Sequence, residues 1–201
     1  MAEAAGWPLA TTRAERPASA PAMILYTSGT TGAPKGVVNS HAAYLAAGRH
    51  TAAMVGLTPG DRCMVVLPLF HANPQMYAVM SALHVGSTLI LRDRFSAGRF
   101  FEDAARFGAT GFTFVGTVLA ILAARHPDPR RDHALRFCLG GGAPLSVWHE
   151  VEERFGIKVH ELYGMTEIGG WVTANTLTHT RHGSSAPTRQ GRSWCVRASQ
   201  T

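Results

Sequence analysis

From Met23 onward, short apolar runs alternate with amphipathic stretches, and this alternation sets the expected elements. Met23–Tyr26 reads as a compact strand, Cys63–Leu67 and Thr88–Leu91 as buried strands, Phe112–Val115 and Leu135–Leu139 as strands, and Lys158–His160 begins another. His41–Val55 predicts a helix with Asn39 or Ser40 as its N-cap and Ala42, Leu45, Ala46 and Ala53 among its apolar positions. In Arg99–Phe107, Phe100, Ala104 and Phe107 recur at helical spacing, and Gly108 is a natural stop. Thr117–Arg125 predicts a helix ended before Pro127. Pro144–Phe155 predicts one with Pro in its first turn, Val147, Val151 and Phe155 on one face, and Gly156 at its end. Strands alternating with helices predict an α/β fold of layered, mostly parallel sheets with flanking helices. The chain carries no internal repeat.

Composition narrows the class. With 46% apolar and 16% charged residues over 201 positions, the chain can bury a core. No apolar run approaches the roughly 18–20 residues of a membrane-spanning helix. No apolar leader follows Met1, so the cytoplasm is the expected compartment. Cys63, Cys138 and Cys195 are far apart and odd in number, which argues against a disulfide framework or a zinc site. The net charge of +6 belongs largely to the C-terminal end, where Arg181, Arg189, Arg192 and Arg197 follow Glu167, the last acid. The body lacks the basic, aromatic-interleaved stripe of a nucleic-acid binder. Residues 1–21 read as linker or remnant, 22–184 as the folded part, and 185–201 as a divergent basic tail expected to be disordered.

Four turns carry the chemistry. In Tyr26-Thr27-Ser28-Gly29-Thr30-Thr31-Gly32-Ala33-Pro34-Lys35-Gly36-Val37, glycines allow close approach of backbone N–H groups to an anion. Thr27, Ser28, Thr30 and Thr31 add hydroxyl donors, and Lys35 adds a mobile positive charge for phosphate oxygens. This is chemistry for a polyphosphate, although Pro34 before Lys35 departs from the common P-loop. A plain hairpin loop is the alternative. Gly140-Gly141-Gly142-Ala143-Pro144 would let a flat ring lie on the backbone beside free amides at a helix start. Tyr163-Gly164-Met165-Thr166-Glu167 offers a stacking ring, a hydroxyl and a carboxylate for Mg²⁺. His71 stands in Pro68-Leu69-Phe70-His71-Ala72. Taken alone, the second and third are as consistent with an ordinary turn, and a lone histidine beside an aromatic is more often a core residue than a catalyst. All four follow predicted strands, which places them together at the carboxyl edge of an open α/β sheet.

Tyr26–Val37 closely resembles the signature of the adenylate-forming superfamily, which includes acyl-CoA synthetases, luciferases and peptide-synthetase adenylation domains. Leu67–Ala72, Gly140–Leu145 and Tyr163–Glu167 follow in that family's order, over roughly residues 22–184. The stretch from Phe95 to Glu167 looks most like the crotonobetaine/carnitine-CoA and fatty-acyl-CoA ligase branch. The resemblance implies that Thr27, Ser28, Gly29, Thr30, Thr31, Gly32 and Lys35 grip the phosphates of ATP. It also implies that Gly141, Gly142, Ala143, Pro144, Tyr163 and Gly164 hold adenine, with Thr166 at the α-phosphate and Glu167 on Mg²⁺. His71, Val115, Gly116 and Thr117 would border the acyl pocket, and Thr166, Glu167 and His71 would be the catalytic set. The implied reaction joins a carboxylic acid to AMP and then to coenzyme A.

Family members are more than twice as long and carry a ribose-binding Asp and an adenylation lysine beyond Glu167, where this chain has neither. A partial, inactive copy is therefore expected, with an Arg-rich tail of the kind an out-of-frame read of GC-rich DNA would produce. A non-catalytic ATP-binding module and an adenylation domain loading a carrier-protein thiol are the alternatives.

Overall fold

The structure, a computed structural model, describes residues 15–28 and 32–175. Residues 1–14 of the expected linker, the middle of the glycine–hydroxyl turn (Gly29, Thr30, Thr31), the basic tail and Cys195 lie outside the described residues.

The main sheet has six strands in the order β4-β3-β5-β6-β7-β8: β3 (Arg62–Val65), β4 (Thr88–Leu91), β5 (Gly111–Val115), β6 (Phe137–Gly141), β7 (Lys158–Met165) and β8 (Gly170–Ala174). All neighbours are parallel except β7 and β8. Successive side chains of a strand enter opposite layers, so Cys138 joins one core while Phe137 and Leu139 join the other. The first layer holds helices α3 (Phe100–Phe107), α4 (Gly116–Arg125) and α5 (Leu145–Glu150), the last continued by a π-type turn over Val151–Phe155. Its centre is Phe101, Phe112, Phe114, Leu119, Trp148 and Phe155, each at most 1% exposed. The opposite layer holds α1 (His41–Val55), a π-type turn at Asn73–Val79 and α2 (Met80–Val85), with Met54, Met76 and Tyr77 buried against the sheet.

Most expected elements are present. The Ser40 hydroxyl caps α1 by accepting from the Ala43 amide at 3.2 Å. The face of α1 differs from the apolar positions marked in the sequence. Tyr44, Ala47, Thr51, Met54 and Val55 are buried, whereas Ala42 and Ala53 are exposed and Leu45 is 61% exposed. Alanine suits either side of a helix, so an Ala-rich stretch fixes the helix better than its orientation.

Strands β1 (Pro21–Thr27) and β2 (Lys35–Ser40) form a separate antiparallel pair. The glycine–hydroxyl turn is therefore a hairpin connection and not a strand-to-helix turn on the parallel sheet. Lys35 pairs with Thr27 at the hairpin's mouth. The physical reason is local: Lys35–Ser40 lies a short turn away from β1 and satisfies its edge directly.

Candidate functional site

At the carboxyl ends of β3, β5, β6 and β7 the loops surround a cavity of about 740 Å³. His71, Val115, Gly141, Gly142, Tyr163, Gly164 and Thr166 line it, joined by Asn73, Tyr77 and Glu161. Three of the four sequence motifs thus converge. Gly116, Ala143 and Glu167 adjoin lining residues in the chain, and Thr117 and Pro144 lie one position further on, without lining the cavity themselves. Thr27, Ser28, Gly32 and Lys35 stand apart on the hairpin, with Ser28, Gly32 and Lys35 exposed. The hairpin reaches the site through β2: Asn39 is 4% exposed, and its side chain abuts Gly169, just after Thr166–Ile168.

Local sequence explains how the walls come so close. A Cβ on Gly140 would stand 2.0 Å from the Phe114 carbonyl oxygen, and one on Gly116 would stand 1.8 Å from that of Gly142. Only glycine lets the ends of β5 and β6 approach in this way. Tyr163 and Gly164 lie within β7, which runs on to Met165, so they are strand residues and not part of a following turn. Tyr163 is 51% exposed. The His71 ring tilts against Phe70 with centroids 4.5 Å apart. Glu167 is exposed on a short 3-10 turn (Thr166–Ile168). Among the described residues no three His, Cys, Asp or Glu side chains gather into a metal site. A Mg²⁺ here would rest on one carboxylate and the ligand's own phosphate oxygens, a coordination this ion accepts.

Two features escaped the sequence pattern. The Asn73–Val79 π-type turn supplies one wall, and the Tyr77 hydroxyl donates to the Gly170 carbonyl at 3.1 Å, tying that wall to β8. Burial pushes the Tyr77 hydroxyl up to about 12, which keeps it a neutral donor. The second feature is Glu161. Its Oε1 accepts from the amides of Gly142 at 3.1 Å and Ala143 at 3.0 Å, which precede the start of α5, so these two amides are already engaged. An acid flanked by buried His160 and Leu162 in mid-strand was the available signal.

The sequence matches the AMP-binding enzyme family over residues 2–198, beyond both ends of the 22–184 resemblance. The chain belongs to that family. This AMP-binding chain is 38% identical over 160 residues to the sulfoacetate–CoA ligase of Cupriavidus necator, covering 79% of the chain and 31% of the relative. It is 35% identical over 158 residues to long-chain fatty acid transport protein 2 of Rattus norvegicus, covering 77% and 25%. Among solved structures it resembles the o-succinylbenzoate coenzyme A synthetase of Bacillus subtilis in complex with ATP and magnesium ion. There the TM-score is 0.70 and the identity 33%, over 80% of this chain and 33% of that one. The chain therefore spans about a third or less of the relatives it matches. The fold is the mostly parallel α/β architecture of the N-terminal domain of adenylate-forming enzymes.

Proposed function

We propose that this AMP-binding chain forms the nucleotide and acyl sites of an AMP-forming acyl-CoA ligase. In that reaction a carboxylate attacks the α-phosphorus of ATP, releasing pyrophosphate and leaving an acyl-adenylate. The thiol of coenzyme A then takes the acyl group and AMP leaves. The observation that carries the reading is the single cavity in which His71, Val115, Gly141, Gly142, Tyr163 and Thr166 meet. In this assignment Tyr163 stacks on adenine beside Gly141–Pro144 and Gly164, and Thr166 meets the α-phosphate. Glu167 holds Mg²⁺, and the hairpin from Thr27 to Lys35 closes over the β- and γ-phosphates. The apolar part of the lining (Leu67, Ala72, Pro74, Val115 and Met165) supports an acyl tail, bordered by His71, Gly116 and Thr117. Catalysis of this kind rests on positioning and on neutralising developing charge. Coenzyme A is the proposed thiol acceptor and the cytoplasm the proposed location.

One observation favours binding without turnover for these 201 residues. Their only lysines are Lys35 and Lys158, and Lys158 is held by Glu152 at 2.9 Å. Calorimetric titration with ATP and Mg²⁺ tests the assignment. Lys35→Ala is expected to weaken ATP binding by about 1.5–3 kcal/mol, the size of a lost charge-assisted contact, while leaving AMP binding intact. Equal ATP affinity in the variant and the parent removes Lys35 and its hairpin from the site.

A further inference from the structure

Glu161 has no part in the assignment just made, yet it is the only buried acid that lines the cavity among the described residues. It is 4% exposed and anchored in the middle of β7. Its carboxylate reaches across to the neighbouring strand and accepts from two successive amides, at Gly142 and Ala143. Among the described residues no ion pair involves it. Asp61, the other buried acid, has Arg136 at 2.7 Å. The same turn is blocked from the other side, because the Gly142 carbonyl lies where a Cβ on Gly116 would be. The peptide units at Gly142 and Ala143 are thus gripped between β7 and the β5–α4 junction.

We propose that Glu161 is a positioning residue that clamps the Gly142 and Ala143 amides and so holds the turn after β6 in the shape that receives the nucleotide base. This rests on the nucleotide reading above. A charge-assisted acceptor holds two N–H donors more firmly than a neutral one, and a buried charge without a cation is retained at a cost to stability. Burial raises the Glu161 carboxyl above the ordinary range, and the Ala143 and Gly142 amides offset only part of that rise. The titratable side chains lining the same cavity are His71, Tyr77 and Tyr163. Protonation at Glu161 would remove the charge from the clamp. A raised carboxyl favours the fold below its ordinary value and loses that contribution as pH climbs through the raised one. Glu161→Gln is accordingly expected to raise the melting temperature at neutral pH while weakening the site.

The experiment uses the full chain, with AMP as probe and NMR as a second readout. In the parent, the Gly142 and Ala143 amide signals should move together with one midpoint, the one at which Glu161 titrates. In Glu161→Gln that movement should vanish, AMP affinity should fall about tenfold at neutral pH, and the gap between the two proteins should close as pH is lowered. Equal AMP affinity in the two proteins, or amides that ignore the Glu161 midpoint, overturns the proposal. If the amides follow Glu161 but the parent binds no AMP, the nucleotide reading falls and the clamp stands.

Discussion

At Asp61, 3% exposed, the carboxylate accepts from Arg136 at 2.7 Å, from the Thr110 hydroxyl at 2.7 Å, and from the Thr58 amide and hydroxyl at 2.8 Å each. Thr58 and Asp61 precede β3, Thr110 precedes β5 and Arg136 precedes β6, so one side chain ties three strand starts at the edge opposite the cavity. Burial alone would raise this carboxyl, but the bonds from Arg136, Thr110 and Thr58 outweigh it and hold it down at about 2. A depressed acid stabilises the fold above its ordinary value, and that contribution is lost as pH falls through the depressed one. Asp61→Ala, which removes the buried acceptor shared by Arg136, Thr110 and Thr58, is expected to cost about 2 kcal/mol at pH 7. Urea melts should show the deficit shrinking toward pH 2, and a deficit constant with pH would sink the charge account. Nothing in the apolar pattern pointed to Asp61, because its partners are up to 75 positions away. The motif residues were legible for the opposite reason: their chemistry is concentrated in contiguous turns.

Glycine at the β5–α4 junction shows how elements, more than single side chains, shape the cavity. Gly116→Ala would drive a methyl into the Gly142 carbonyl, so one of the two elements must shift. Overpacking of this kind costs about 1–3 kcal/mol, and AMP affinity should drop at least tenfold because the displaced turn is the one that faces the ligand. Gly98→Ala, with its nearest neighbour at 3.9 Å, serves as the control and should leave both quantities unchanged. Retention of full AMP affinity in Gly116→Ala would separate that turn from binding. The elements that were hard to read share a cause. In the Asn73–Val79 turn Met76, Tyr77 and Ala78 are buried in succession, which erases the 3.6-residue stripe a helix is known by. Strand β8 (Gly170–Ala174) is half-buried throughout after its first residue and shows no alternation, and β2 is recognisable only by its pairing with β1. The inner parallel strands, buried on both faces, appeared as plain apolar runs and were easily seen.

Three buried groups among the described residues, His160, Asp61 and Glu161, contribute to acid stability. His160 on β7 is 2% exposed, and burial, aided by the charge of Lys158, lowers it from 6.5 to about 4. Below pH 6.5 the unfolded chain takes up a proton at this position that the folded chain refuses, so stability drains as pH falls from 6.5 toward 4. Each unit of separation is worth roughly 1.4 kcal/mol, which puts the loss on the order of 3 kcal/mol. Asp61 adds its own loss only lower down, and Glu161, with its raised carboxyl, opposes the His160 loss. The folded chain should therefore weaken in two acid steps, the first set by His160 and the second by Asp61. Melting temperatures across pH 7 to 4 should show the first step in the parent and lose it in His160→Gln. The His160 ring signal should titrate near 4 in the intact fold, independently of whether the variant folds. A ring midpoint near 6.5 would remove the first step and leave acid sensitivity to the strand-start clamp at Asp61, because burial would then impose no penalty on the imidazolium.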